Sequence, residues 1–238
     1  MTNLTEKGRG IRDMFDRIAP RYDLLNRVLS LGIDRRWRRF AVRQLVVPKD
    51  GMVLDIATGT GDVALEIGSQ TDPSVNIVGS DFTQGMLVLG RDKISDSPYR
   101  DRIMLVNAPC ESMPHPDGIF DGITIAFGIR NVVDRVDALQ EFNRALKPNG
   151  IVMILEFTKQ DRSGVVDKVV DFGMKKVLPR VGGLISKNYE AYKYLPESIE
   201  EFLTTDMLAK ELEEAGFEMK YVKSFSMGIS TLLVAQKI

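Results

Sequence analysis

The chain has 238 residues, of which 44% are hydrophobic and 27% charged, and its net charge is −1. That length fits one large α/β domain better than two small ones, and the balanced charge excludes the electrostatic attraction on which sequence-independent nucleic-acid binding depends, so we expect no nucleic-acid partner. With one cysteine and one histidine, the chain can form no intrachain disulfide and lacks the ligands of an ordinary zinc or iron site, so we expect no metal.

The first fifty residues predict a helical cap. Residues 1–10 are polar and lack the apolar core of a secretory signal. Between residues 11 and 47, apolar side chains recur every three or four positions, with breaks at Pro20 and Gly32. No run reaches the roughly 18–20 apolar residues that cross a membrane. We therefore expect a cytoplasmic protein, with peripheral attachment to the inner face of the membrane left open.

From residue 51 onwards, short apolar runs alternate with helical patterns, as is typical of parallel strands joined by crossover helices. Residues 160–204 break the alternation and predict a lid-like insertion that helps to cover a site. A helix at 206–215 then precedes two closely spaced strands, which predict an antiparallel pair. The predicted strands are 52–57, 77–80, 103–106, 122–127, 151–157, 217–224 and 229–236, and the predicted helices between them are 62–69, 83–94 and 134–146.

This order predicts the fold class α/β. We expect a doubly wound, mostly parallel, Rossmann-like sheet with an antiparallel terminal strand. The helical cap is residues 1–50, and residues 51–238 form the sheet domain with its insertion, as one domain overall.

The strongest local signal is a glycine loop after the first predicted strand. Gly59 and Gly61 stand where the backbone turns sharply and a ligand lies directly on the chain. Asp81, followed by Phe82, ends the second strand about 20 residues further on. A carboxylate there can accept both ribose hydroxyls of an adenosine group.

Two cofactors compete for this pattern, because Gly59-x-Gly61-x-x-Ala64 also matches the signature of NAD-dependent oxidoreductases. Asp55 and Asp62 place negative charge before and after the glycines, where a pyrophosphate would lie. S-adenosylmethionine carries a sulfonium and an ammonium and no phosphate, so the charges favour it. Asp62 serves equally well as a helix N-cap.

Several segments, in order and spacing over nearly the whole chain, resemble the C-methyltransferases of ubiquinone and menaquinone biosynthesis. The most specific are Tyr22-Asp23-Leu24-Leu25-Asn26 with Trp37 after it, and Phe127-Gly128-Ile129-Arg130-Asn131. The others are 54–62, 144–150 leading into 155–157, and 192–199. The resemblance implies a class I methyltransferase that uses S-adenosylmethionine, releases S-adenosylhomocysteine and methylates a ring carbon of a polyprenyl hydroquinone such as demethylmenaquinol.

The resemblance also assigns binding positions, at Thr58, Asp81 and the pair Asn107-Ala108. Ubiquinone-type members often have a serine where this chain has Ala126, which favours a menaquinone-type acceptor. Asp34 stands where the family usually has a histidine, and this difference leaves the identity of the methyl acceptor undecided. The predicted cofactor-binding residues are Asp55, Thr58, Gly59, Gly61, Asp81, Phe82, Asn107 and Ala108.

A ring carbon becomes nucleophilic once a neighbouring hydroxyl loses its proton, so the site needs a group that stabilises a phenolate. We predict Arg130 in that role, with Asn131 orienting a water and Tyr22 on the pocket wall as the third catalytic candidate. An ion pair that fixes the loop is the alternative for Arg130. A methyltransferase for another small molecule and a non-catalytic adenosyl-binding protein stay open as alternative functions.

The predicted partner is a lipophilic quinol. Five arginines between residues 35 and 43 surround Trp37 and predict either contact with an anionic membrane or a solvated helix face with Trp37 packed inward. A homodimer is a further expectation.

Overall fold

The computed structural model describes residues 5–30, 32–159 and 189–238. Every strand and helix that the sequence predicts in these ranges is present. The helices are α1 (Glu6–Ile18), α2 (Tyr22–Leu29), α3 (Ile33–Val42), α4 (Asp62–Gln70), α5 (Gln84–Ser95), α6 (Arg135–Ala145), α7 (Tyr189–Glu201) and α8 (Thr205–Glu214). The strands are β1 (Met52–Ile56), β2 (Asn76–Asp81), β3 (Ile103–Asn107), β4 (Phe120–Ala126), β5 (Leu146–Glu156), β6 (Phe217–Phe225) and β7 (Ser230–Lys237). In these ranges, no helix combines the length and the apolar character needed to cross a bilayer.

The helical cap consists of α1, α2 and α3. Thr5 begins α1 because its hydroxyl accepts the Gly8 N–H at 3.1 Å. A short 3-10 turn that contains Pro20 separates α1 from α2, and Gly32 precedes α3 in the left-handed conformation with φ 75°. Both predicted breaks are therefore confirmed, although α1 begins before the predicted residue 11.

The seven strands form one sheet in the order β3-β2-β1-β4-β5-β7-β6. Neighbouring pairs from β3 to β5 are parallel, whereas β7 is antiparallel to both β5 and β6. The predicted α/β fold with an antiparallel terminal strand is confirmed. The strand order reverses between β1 and β4, and in open α/β sheets this reversal leaves a crevice beyond the carboxyl ends of the strands.

Alternate side chains of the strands pack on the two faces of the sheet. Leu54 and Ile123 point towards α6 and α8 and form the larger apolar cluster with residues such as Phe142. On the other face, Val53 packs with residues of α3 and α4. Trp37 of α3 packs against β5 and β7. The helical cap therefore shares a core with the sheet through α3.

The boundary of β5 differs from the predicted one. The strand begins at Leu146, which pairs with Phe120, and the next pair is Gly122 with Ile151. The residues between these pairs bulge out of the strand, with Asn149 at φ 63°. The predicted turn at this point is thus a bulge within one strand. Most of the predicted insertion, residues 160–188, lies outside the described residues, and its last part forms α7.

Candidate active site

A cavity of about 310 Å³ lies at the carboxyl ends of the central strands, within the size range of small-molecule sites. Gly8 of α1 and its N-cap residue Thr5 contribute to the wall, so the helical cap helps to enclose the cavity. Among the described residues, the lining is mainly apolar. It includes three acidic residues and no lysine, arginine or histidine. The lining residues are Thr5, Gly8, Ile56, Ala57, Asp81, Phe82, 108–112, Gly128 and 131–134.

Two loops meet at the floor of this cavity. The loop after β1 has three residues in the left-handed region, Ala57 at φ 51°, Gly59 at 57° and Gly61 at 81°. The loop after β4 approaches it at Gly128, where an added Cβ would lie 2.5 Å from the Cβ of Ala57. Only a glycine therefore lets the two loops lie this close without displacement.

Asp81 anchors the glycine loop from the end of β2. One carboxylate oxygen accepts the Gly59 N–H at 2.9 Å, and the other accepts the Thr83 N–H at 2.8 Å. Burial raises the pKa of Asp81 against the lowering effect of these two backbone bonds. Because each carboxylate oxygen has a second lone pair, Asp81 can still accept hydroxyl groups from a ligand in the cavity. Phe82 and Ala108 lie beside it in the lining.

Asn107 lies outside the cavity lining, although the sequence predicts that it binds the cofactor. Its side-chain amide donates to the carbonyl of Asp81 at 2.9 Å, so it joins the ends of β2 and β3. It is exposed and does not line the cavity. Its predicted contact with the purine stays a prediction, and the contact that the structure contains is a supporting one.

Asp55 and Thr58 lie beneath the glycine loop. Asp55 is 1% exposed, and its carboxylate accepts the hydroxyls of Thr58 at 2.6 Å and Thr124 at 2.7 Å. Neither residue is part of the cavity lining. The ligand contacts that the sequence predicts for both residues stay predictions; in the structure, their hydrogen bond holds the loop on the strand. Gly59 and Gly61 likewise shape the loop and are absent from the lining.

Arg130 lies in a buried ion pair. Its Nη1 donates to Glu156 Oε1 and to the Phe127 carbonyl, both at 2.7 Å, and its backbone N–H donates to Glu156 Oε2 at 3.2 Å. Its Nε reaches Ser198 Oγ of α7 at 3.4 Å. Burial raises the pKa of Glu156, although Arg130 and two backbone amides act in the opposite direction. These contacts match the loop-fixing alternative, and a direct contact of Arg130 with an acceptor stays a prediction.

Asn131 is the predicted catalytic residue that lines the cavity. Its side-chain oxygen accepts the hydroxyl of Tyr194 at 2.8 Å, which connects α7 to the loop after β4. Burial raises the pKa of Tyr194, so this phenol remains protonated and able to donate.

Tyr22 begins α2 outside the cavity lining. Its ring packs edge-on against Phe15 with centroids 6.2 Å apart, and its hydroxyl is hydrogen-bonded to Asn26. Burial raises the pKa of this phenol too, and the charges of Arg130 and Asp81 are close enough to influence it. Tyr22 therefore lies near the site, behind the residues that line it.

Sequence reasoning missed two groups of site residues. The loop after β3, from Pro109 to Ser112, follows a strand of the crevice, so the rule that ligands gather beyond these strand ends would have found it. Lys93 of α5 contacts Asp23, Thr60 and Asp62. No local pattern marks Lys93, because Asp23 is 70 residues away along the chain. Within the described residues, no group of three or more metal-ligating side chains occurs.

Residues 1–237 match the model of the ubiE/COQ5 methyltransferase family. Over 237 residues the chain is 53% identical to the ubiquinone/menaquinone biosynthesis C-methyltransferase UbiE of Geobacter sulfurreducens, covering 100% of this chain and 92% of that relative. Among solved structures, it is similar to a SAM-dependent methyltransferase of Thermotoga maritima, a possible histamine N-methyltransferase (TM-score 0.67, 20% identity, 95% and 99% of the two chains). It is also similar to the [4+2]-cyclase SpnF (TM-score 0.72, 16% identity, 95% and 94%). At such identities the two structures establish the fold alone.

Asp55→Asn is expected to remove a pH dependence of stability. The pKa of Asp55 is raised from 3.8 to about 6, first of all by burial. Since the folded value is the higher one, the stability that this group contributes is full below about pH 4 and is lost as the pH rises through about 6. Urea denaturation measures the free energy of unfolding of both proteins. The value for the wild type minus the value for Asp55→Asn should decrease as the pH rises from about 4 to about 6.

The control is Asp101→Asn, which changes a carboxylate whose side chain is 91% exposed. It should leave the pH profile of the wild type unchanged. A difference between wild type and Asp55→Asn that stays constant from about pH 4 to pH 7 would contradict the raised pKa.

Proposed function

The chain belongs to the ubiE/COQ5 methyltransferase family, and on this premise we propose that it transfers a methyl group from S-adenosylmethionine to a ring carbon of a polyprenyl hydroquinone in ubiquinone or menaquinone biosynthesis. The family match over the whole chain carries this proposal. The fold cannot carry it alone, because one fold hosts many reactions.

The chemistry of the cavity supports S-adenosylmethionine as the cofactor. Asp81, Glu111 and Asp134 are the acidic residues of a lining that is otherwise mainly apolar. Such a lining suits a ligand that carries cationic groups and ribose hydroxyls, whereas a pyrophosphate would meet negative charge. When bound, this cofactor supplies a methyl group that is already activated on a sulfonium.

The residues of the chain then have positioning tasks. Asp81 accepts the ribose hydroxyls, and Phe82 and Ala108 contact the adenosyl group beside it. Asn131 holds an acceptor oxygen or the water next to it. Arg130, neutralised by Glu156, keeps the loop that carries Asn131 in place. Alignment of an acceptor with the methyl group can lower the activation free energy by up to about 7–11 kcal/mol. This gain can exceed the desolvation free energy of the buried ion pair that fixes the loop.

Methyl transfer is tested with the purified protein and S-adenosylmethionine labelled in its methyl group. We expect the label on a ring carbon of demethylmenaquinol, because the chain has Ala126 where ubiquinone-type members often carry a serine. A hydroquinone of the ubiquinone pathway serves as the second acceptor and a catechol as the control, with product identity read by mass spectrometry. Transfer to the catechol oxygen alone, or to none of the three acceptors, would contradict the proposal.

Asp81→Asn is expected to weaken the binding of S-adenosylhomocysteine by about 1–3 kcal/mol, because a charged acceptor of two hydroxyls is lost. Isothermal titration calorimetry measures the dissociation constant. Asp101→Asn is again the matched control, and thermal unfolding of both variants accounts for the loss of the bonds from Gly59 and Thr83. An unchanged dissociation constant for Asp81→Asn would place the ribose elsewhere.

The family implies a lipophilic quinol as substrate, and α3 offers a surface for membrane contact. Trp37 is 7% exposed and Arg38 is ion-paired, so neither is available to a lipid surface. Arg35, Arg36 and Arg43 are exposed on the same segment. We propose that these three arginines contact anionic lipid headgroups without insertion of the tryptophan. A homodimer and the absence of nucleic-acid contact stay predictions.

Replacement of these three arginines by glutamine should weaken binding to phosphatidylglycerol-containing vesicles by about 1 kcal/mol per residue. Vesicle sedimentation at two salt concentrations measures the effect, which should shrink at the higher one. The control replaces three exposed cations elsewhere on the surface, Lys49, Arg91 and Lys210. Equal binding of the two triple variants would refute a specific role for α3.

A further inference from the structure

Lys93 of α5 contacts the helical cap and the glycine loop at the same time. Its ammonium donates to Asp23 of α2, to the hydroxyl of Thr60 at 3.0 Å and to Asp62 Oδ1 at 2.7 Å. The side chains of Lys93, Asp23 and Asp62 are 28%, 26% and 31% exposed. We call these four residues the Lys93 cluster. Partial burial makes such charge-assisted bonds stronger than those of a fully exposed pair.

Thr60 brings the glycine loop into the cluster. It stands between Gly59 and Gly61 and is 4% exposed. Its hydroxyl donates to Asp23 Oδ1 at 2.6 Å while accepting the Lys93 ammonium. The loop is therefore bonded to the cap directly through Asp23 and indirectly through Lys93.

Asp62 extends the contacts to α3. Its second oxygen accepts Arg38 Nη1 at 3.0 Å, and the same nitrogen donates to Asp34 at 2.7 Å. Burial alone would raise the pKa of Asp62, but Arg38 and Lys93 outweigh it, and the pKa is lowered. Three carboxylates of these elements thus face two cations, and loss of either cation leaves a partly buried carboxylate uncompensated.

Helix α5 is the common support of the loop and the cap. An added Cβ at Gly90 would lie 3.2 Å from the carbonyl oxygen of Gly59, so the helix rests on the loop backbone. At the start of α5, the Gly85 N–H donates to Asp16 of α1 at 2.9 Å. Gly8 of α1 and the N-cap residue Thr5 line the cavity wall. Movement of the cap away from α5 would therefore open one side of the cavity.

We propose that Lys93 is a positioning residue that holds the helical cap on the glycine loop, so that a ligand leaves the cavity only when the Lys93 cluster opens. The identity of that ligand, S-adenosylhomocysteine or S-adenosylmethionine, rests on the proposed function. The attachment of the cap does not, because it concerns contacts within the chain.

Lys93→Met in the full chain tests the proposal, since methionine keeps the length of the side chain and removes its charge. Amide hydrogen exchange of the ligand-free protein should become roughly tenfold faster in α1 and α2 and remain unchanged in β1, β4 and β5. The dissociation rate of S-adenosylhomocysteine, from stopped-flow displacement, should rise by about the same factor. Arg91→Met on the same helix is the matched control, because its side chain is 71% exposed.

Equal exchange in α1 and α2 for Lys93→Met and Arg91→Met would overturn the proposal, and so would faster exchange spread over the whole sheet. Asp23→Asn provides a second variant. It should reproduce the effect of Lys93→Met, and the double variant should add little, because both remove the same contact. Fully additive effects would also overturn it. If the wild type binds no S-adenosylhomocysteine, the proposed function fails, while the exchange data still decide whether Lys93 holds the cap.

Discussion

The glycine loop between β1 and α4 is held by carboxylates at the ends of two neighbouring parallel strands. Asp55 accepts the Thr58 hydroxyl from below, and Asp81 accepts the Gly59 N–H from the side. The loop contains residues in the left-handed region, and such a backbone persists only where the surroundings fix it. The resulting loop position determines the floor of the cavity, the close approach of Gly128 to Ala57 and the packing of α5 on the loop.

Buried charge explains how the rest of the site is arranged around this loop. Asp81 lines the cavity, and the described lining includes no lysine, arginine or histidine, whereas Arg38 and Lys93 are bonded to Asp62 at the start of α4. The described lining of the cavity therefore contains acidic residues and no basic ones. The helical cap is attached through the ion pairs of Lys93 with Asp23 and Asp62. The proposed preference for a cationic ligand and the proposed attachment of the cap would then both depend on this one distribution of charges.

Arg130 illustrates how a residue placed near a ligand site can be used for support. An arginine just beyond a strand of the crevice is in the right place to meet a ligand, but its guanidinium is paired with Glu156 and the Phe127 carbonyl. A buried pair of this kind costs desolvation and is retained where a precise loop conformation is needed. Asn131, the next residue, lines the cavity and benefits from that fixed loop.

The sequence by itself determined the α/β fold, the succession of strands and helices along the chain, the helix breaks at Pro20 and Gly32 and the position of Asp81 at the end of the second strand. Each of these follows from patterns within a few residues or from a motif of fixed spacing. Tertiary structure alone decided that Asp55 turns beneath the loop, that β7 inserts between β5 and β6, and that α1 lines the cavity. It also decided that Lys93 meets Asp23. Hydrophobic periodicity specifies which face of an element is buried, but the partner of a polar side chain is set by residues that are distant in the chain, and it exists only once the sheet has brought them together.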